Sequence, residues 1–204
     1  MTPPEARPAV GAARTRPTAD PPSQPPSLLS WWPAAVGTAM ALVSLWTDER
    51  GSAEGPLLVL LYATCGYAVI AFARRPAWSW PLLGALVVLH LAGELVAVPG
   101  TATLPTLILA TVVLGVLLGR FRPPPTEMRW QAWSALAFVA AALAALWLGS
   151  TVAQVVVGVA LLAHGAWDVV HWRRCVVVSR SLSQWCAGLD LVLGAGVLLL
   201  VAIP

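Results

Sequence analysis

Imidazole and carboxylate side chains occur in this sequence where the flanking residues are almost wholly apolar. His164, Asp168 and His171 fall in one such run, Asp190 in the next, and His90 with Glu94 in an earlier one. These groups bind divalent metal ions, pass protons between sites, or lock apolar elements together through buried hydrogen bonds. At about 100° per residue on a helix, Asp168 lies about 40° from His164 and His171 about 20° the other way, so the three form one stripe. Cys175 extends that stripe by a turn if the helix continues. His90 and Glu94 are spaced i,i+4 on a second helix, and Cys186 and Asp190 on a third. A His/Asp pair at this spacing supplies two ligands to one ion.

The elements that must position these groups are membrane helices. The chain has 204 residues, 58% hydrophobic and only 10% charged, with a mean hydropathy of +0.78. Soluble domains carry about 25% charged residues. The apolar residues gather in runs long enough to cross about 30 Å of hydrocarbon. Seven helices are expected, at about 28–46, 56–73, 79–98, 102–119, 130–148, 151–172 and 184–203, as one all-α transmembrane domain over 28–204. Tryptophans such as Trp31, Trp46, Trp80, Trp130, Trp147 and Trp172 flank their ends, at headgroup level. Residues 1–27, with eight of the eighteen prolines and Arg7, Arg14 and Arg16, read as a disordered cytoplasmic tail. The run after it is too long for a signal-peptide core.

Charge fixes the expected orientation. Arginines stand in the tail, in the second loop (Arg74, Arg75), the fourth (Arg120, Arg122, Arg129) and the sixth (Arg173, Arg174, Arg180). The first loop is acidic on balance (Asp48, Glu49 and Glu54 against Arg50), and the third and fifth carry no charge. The alternation predicts seven spans with the N-terminus inside and the C-terminus outside. The same distribution argues for the lipid bilayer and against nucleic acid as partner, despite a pI near 9.1. The lysine-free, Ala/Arg-rich composition suggests a GC-rich bacterial genome, hence the bacterial inner membrane. Without a lysine there is no Schiff base, so a retinal protein is excluded.

A carboxylate at the bilayer centre costs about 2.5–3.5 kcal/mol on the most lenient scale, so these acids are expected to face inward and meet partners. Measured from the cytoplasmic end at about 1.5 Å per residue, His171 is at the boundary and Asp168 and Asp190 lie roughly 6–9 Å in. His164 follows at about 12 Å, His90 at about 16 Å and Glu94 at about 22 Å. If the third, sixth and seventh helices adjoin, the groups make a ladder. Three readings stay open. The ladder is structural, with Arg180 as an ion-pair partner of Asp190. It is a metal site, for zinc among others, drawing on His164, Asp168, His171 and Asp190, with Cys175 and Cys186 as thiol ligands. Or it passes protons or small ions.

The pattern His164-x-x-Trp167-Asp168-x-x-His171, followed by Arg180, Cys186 and Asp190, resembles small bacterial integral membrane proteins for which no activity is established. That resemblance covers about residues 160–195 and implies a membrane bundle and no reaction. The His164/Asp168 spacing also resembles half of the transport site of the cation-diffusion-facilitator zinc exporters, which have six helices and a C-terminal cytoplasmic domain. The likeness here is confined to the helix pair. No G-x-S-x-G elbow, H-E-x-x-H motif or phosphate-binding glycine loop is present, which favours a non-enzymatic protein. Three cysteines in these positions do not suggest disulfides. Gly115-x-x-x-Gly119 and Ala137, Ala140, Ala141 and Ala144 are expected at helix contacts. Tyr62 and Tyr67 are expected as interior hydrogen-bonding partners, Trp167 as a packing residue, and Ser179, Ser181 and Ser183 as an exposed connector.

Overall fold

The computed structural model describes residues 28–47, 52–122 and 127–203. The tail over 1–27 and the charges at 48–50 lie outside them. The described residues are helical throughout, with no strand. A 3-10 turn, Leu28–Trp31, leads into α1 (Trp32–Thr47). Then come α2 (Glu54–Ala73), a second 3-10 turn (Pro76–Trp78), α3 (Ser79–Leu95) and α4 (Gly100–Leu117). The chain continues through α5 (Glu127–Trp147), α6 (Ser150–Arg174) and α7 (Arg180–Ala202). Six helices, counting the turn before α3 with it, are long and apolar enough to cross a membrane, at 18–25 residues each. At 1.5 Å per residue they measure about 27–38 Å, which matches a bilayer core. The chain is a helical, multi-pass membrane protein.

Helix α2 stands at the centre. It is apolar around its whole circumference, as a helix buried on all sides must be, and Leu57, Leu60, Leu61, Ile70 and Ala71 are almost wholly enclosed. It packs against α3, α4, α5, α6 and α7. Around it the chain runs from α3 through α4, α5, α6 and α7 to α1, each packed on the next. The ring stays open between α3 and α1. Its C-terminal carbonyls are capped by Arg120, whose Nε donates to Phe72 O at 2.9 Å and Nη2 to Ala73 O at 3.4 Å. Arg74 Nε donates in return to Arg120 O at 3.2 Å, so two arginines close the helix end whose last carbonyls have no intrahelical donor.

The α1–α7 contact depends on missing side chains. A Cβ at Gly37 would fall 2.1 Å from Trp185 O, and one at Gly188 2.4 Å from Ala34 O. Further along, Leu45 packs over Gly196. Rising numbers on α1 meet rising numbers on α7, so these two helices run parallel.

Two expected helix contacts lie elsewhere. The space over Gly115 is filled by the Phe121 ring of the following turn, not by another helix, and Gly119 takes a φ of +65° in that turn. On α5 the buried face is Ala132, Ala135, Val139, Ala142 and Ala145; of the alanines expected there Ala141 packs half-buried against the core, whereas Ala137, Ala140 and Ala144 are exposed. The serines after α6 do more than connect. Ser179 Oγ caps α7 by accepting from Leu182 N, and Ser183 is fully buried.

Candidate metal centre

Helices α6 and α7 form an antiparallel hairpin whose close approach builds the site. A Cβ at Gly194 would stand 2.8 Å from Gly158 O, and one at Gly165 2.7 Å from Leu191 Cγ. The backbones can meet only because these positions carry no side chain, the usual device between membrane helices. Within that contact Asp190 of α7 reaches His164 of α6. His164 Nδ1 lies 2.8 Å from Asp190 Oδ2 and 3.4 Å from Asp168 Oδ2. The side chains of His164, Asp168 and Asp190 are 1%, 0% and 0% exposed. Each offers one ligand atom, and all three atoms lie within 4.8 Å of one another.

The carboxylates are under-satisfied. Neither oxygen of Asp168 makes a hydrogen bond of good geometry, although His164 Nδ1 and the Tyr67 hydroxyl stand against that carboxylate, and Asp190 Oδ1 has no partner. Buried polar atoms are normally paired, and two carboxylates sharing one imidazole form a strongly electron-rich pocket inside hydrocarbon. Tyr67 of α2 covers it, its ring edge-on to His164 at 5.3 Å and to His171 at 5.1 Å. Phe138 of α5 packs on the His164 ring at 4.9 Å. The cluster is walled by aromatic rings.

His171 shares the stripe but not the cluster. Its Nδ1 is 2.8 Å from Trp167 O; a carbonyl only accepts, so this nitrogen carries the proton. Its Nε2 is 2.6 Å from Gln131 Nε2 of α5, which fits an amide N–H donating to the free ring nitrogen. Both nitrogens are engaged, and Trp167 stacks edge-on against the ring at 4.8 Å. His171 therefore locks α6 to α5. Gln131, a buried amide in an apolar run, is the partner that the stripe analysis missed; its amide, alone on the inner face of α5, was the available signal.

The remaining candidates stand apart. His90 and Glu94 do pair, His90 Nδ1 to Glu94 Oε1 at 3.8 Å, but on the periphery, with side chains 18% and 55% exposed. Helix α3 meets α2 and α4 and does not pack along α6 or α7 through this region. It also ends at Leu95, three residues earlier than expected, which brings Glu94 into its last turn with its side chain more than half exposed. The continuous ladder does not form. The Tyr62 ring packs edge-on to His90 at 5.6 Å and its hydroxyl has no hydrogen-bond partner, against expectation, whereas the Tyr67 hydroxyl sits against the Asp168 carboxylate. Cys175 is exposed and Cys186 buried, both as free thiols like Cys65; neither joins the three-residue group. Arg180, expected opposite Asp190, instead lies over the Trp172 ring at 5.8 Å, more than two turns from that carboxylate along α7. Comparison with family models, with curated proteins and with solved structures finds no match to this chain.

Proposed function

We propose that this is a seven-span protein of the bacterial inner membrane, N-terminus inside, whose buried centre holds one divalent transition-metal ion, zinc above all, on His164, Asp168 and Asp190. The observation that carries the metal reading is the set of three buried ligand atoms, one each from His164, Asp168 and Asp190, within 4.8 Å of one another. A divalent ion with two carboxylates and a neutral imidazole is electrically neutral, which removes the penalty for charge in hydrocarbon. Zinc held tetrahedrally at about 2.0–2.2 Å keeps its ligand atoms about 3.3–3.6 Å apart. The 3.4 Å separation between His164 and Asp168 already suits this; the 2.8 Å hydrogen bond to Asp190 opens by about 0.6 Å as the ion replaces the proton. Three protein ligands leave one position open, the arrangement of exchangeable rather than closed structural sites.

Seven spans are supported by α1. Its sixteen residues follow a four-residue 3-10 turn, and it lies parallel to α7, as first and last helices must in an odd-numbered bundle. The arginine alternation supports the N-inside orientation.

Protons alone are the second reading, favoured by the 2.8 Å His164–Asp190 hydrogen bond, a contact that can pass a proton. It supplies no counter-charge for the second buried carboxylate, Asp168, and so ranks below the metal. The test is elemental analysis of the full chain purified in mild detergent. One zinc per chain, lost in His164→Ala and Asp190→Asn, is expected. A protein that holds no metal as purified or after reconstitution overturns the reading.

A further inference from the structure

Between α4 and α5, at the end nearest their connecting loop, lies a groove of about 430 Å³. Its walls are Val112 and Val116 of α4 and Ala132 and Leu136 of α5, joined by Phe121, which folds back over Gly115. Val116 and Trp133, which also lines the groove, are more than half exposed, so it opens to the bilayer. From Arg129 to Leu136 it runs about 10 Å along α5. Two arginines stand at its loop end, Arg122 in the turn after α4 and Arg129 in the first turn of α5. Arg129 Nε donates to Arg122 O at 3.3 Å, a bond that holds the two sides of the loop together and both arginines at one end of the groove. The third arginine of this loop, Arg120, is engaged elsewhere, capping α2.

We propose that this groove binds an anionic phospholipid from the leaflet that the arginine-rich loops face, its phosphate on Arg122 and Arg129 and an acyl chain laid between α4 and α5. Three observations converge on that occupant. The walls are apolar and open to hydrocarbon, which suits a chain and not a soluble anion. The loop end is positive: the fourth loop carries Arg120, Arg122 and Arg129 against Glu127 alone. Arg122 and Arg129 are both exposed, and among the described side chains no carboxylate pairs with either. Guanidinium groups match a phosphate in shape as well as charge. A zwitterionic headgroup brings its own ammonium beside its phosphate and an anionic one does not, so two arginines favour the anionic lipid. Trp130 and Trp133, 58% and 67% exposed in the first two turns of α5, set this end of the groove at headgroup level. The inference stands independently of what the buried centre binds.

Native mass spectrometry of the full chain, in detergent micelles holding equal amounts of phosphatidylglycerol and phosphatidylcholine with the same acyl chains, tests it. One phosphatidylglycerol per chain is expected, preferred about tenfold or more, since each arginine near the membrane surface contributes about fivefold toward an anionic lipid. Arg122→Gln combined with Arg129→Gln is expected to bring the preference close to unity. Arg75→Gln combined with Arg173→Gln removes the same charge at other exposed positions and is expected to leave it. Val116→Trp fills the groove from its exposed side and is expected to lower occupancy severalfold with zinc content unchanged. Excess glycerol phosphate, the headgroup chemistry without the chains, is expected not to displace the lipid. Equal occupancy by phosphatidylcholine, equal loss of preference in the two double variants, full occupancy in Val116→Trp, or displacement by glycerol phosphate overturns the proposal.

Discussion

Gly194→Ala tests whether the hairpin contact makes the centre. The new methyl would stand 2.8 Å from Gly158 O, 3.0 Å from Leu161 Cβ and 3.0 Å from Leu162 N. Two of these atoms are backbone and cannot swing aside, so α6 and α7 must part by about 0.5 Å to reach van der Waals contact. Asp190 lies one turn before Gly194 on the same face and moves with it. With zinc bound, His164 Nδ1 and Asp190 Oδ2 already stand about 3.4 Å apart, so a further shift of about 0.5 Å carries the Asp190 oxygen beyond the roughly 0.2 Å that metal–ligand distances tolerate. Zinc affinity is expected to fall about 10- to 100-fold, the size of effect seen when the support of a ligand is disturbed. Stability moves less: overpacking costs about 1–3 kcal/mol, and alanine returns up to about 1 kcal/mol over glycine in a helix. Zinc competition against a chelator, paired with thermal denaturation in detergent, reads both. Gly115→Ala is the control. Its methyl collides with Phe121, so it lowers stability, but α4 brings no ligand and affinity holds. Zinc affinity within twofold of the parent in Gly194→Ala would refute the reasoning.

Other outcomes separate the roles of the histidines and fix orientation. His171→Ala is expected to retain zinc yet lower the denaturation temperature, because it leaves the buried Gln131 amide without its partner, at about 1–3 kcal/mol; loss of zinc in this variant would place His171 in the centre. His90→Ala and Glu94→Gln are expected to change stability by less than about 1 kcal/mol, as for surface ion pairs, and to leave zinc content alone. Cys175 is exposed at the α6–α7 loop; with the N-terminus inside, a membrane-impermeant maleimide labels it only after the cells are permeabilised, and labelling of intact cells would reverse the orientation.

The helices were legible because hydrocarbon imposes length and polarity together. The expected run 151–172 became Ser150–Arg174, and 56–73 became Glu54–Ala73. Boundaries slipped where local capping decides: Ser179 starts α7 four residues earlier than hydropathy does, and a turn at Val96–Ala97 ends α3 early. The triad of His164, Asp168 and Asp190 was legible too, since i,i+4 spacing fixes one face and the next polar residue at matching depth lies on the adjoining helix. Depth could not say which helices adjoin. Depth puts His90 at nearly the level of His164, but α3 packs on α2 and α4, and His90 meets Tyr62 while His164 meets Tyr67, more than a turn along α2. The sixth helix takes its cover from α2 and α5, through Tyr67, Phe138 and Gln131, because neighbour choice depends on glycine contacts and aromatic shapes that a one-dimensional pattern does not encode.

X-ray absorption at the zinc edge of the purified, zinc-loaded chain tests the central claim most directly. The account predicts nitrogen and oxygen ligands with a single imidazole and no sulfur, and loss of the bound ion in Asp190→Asn. A sulfur ligand, two imidazoles, or an unchanged spectrum in that variant would contradict it.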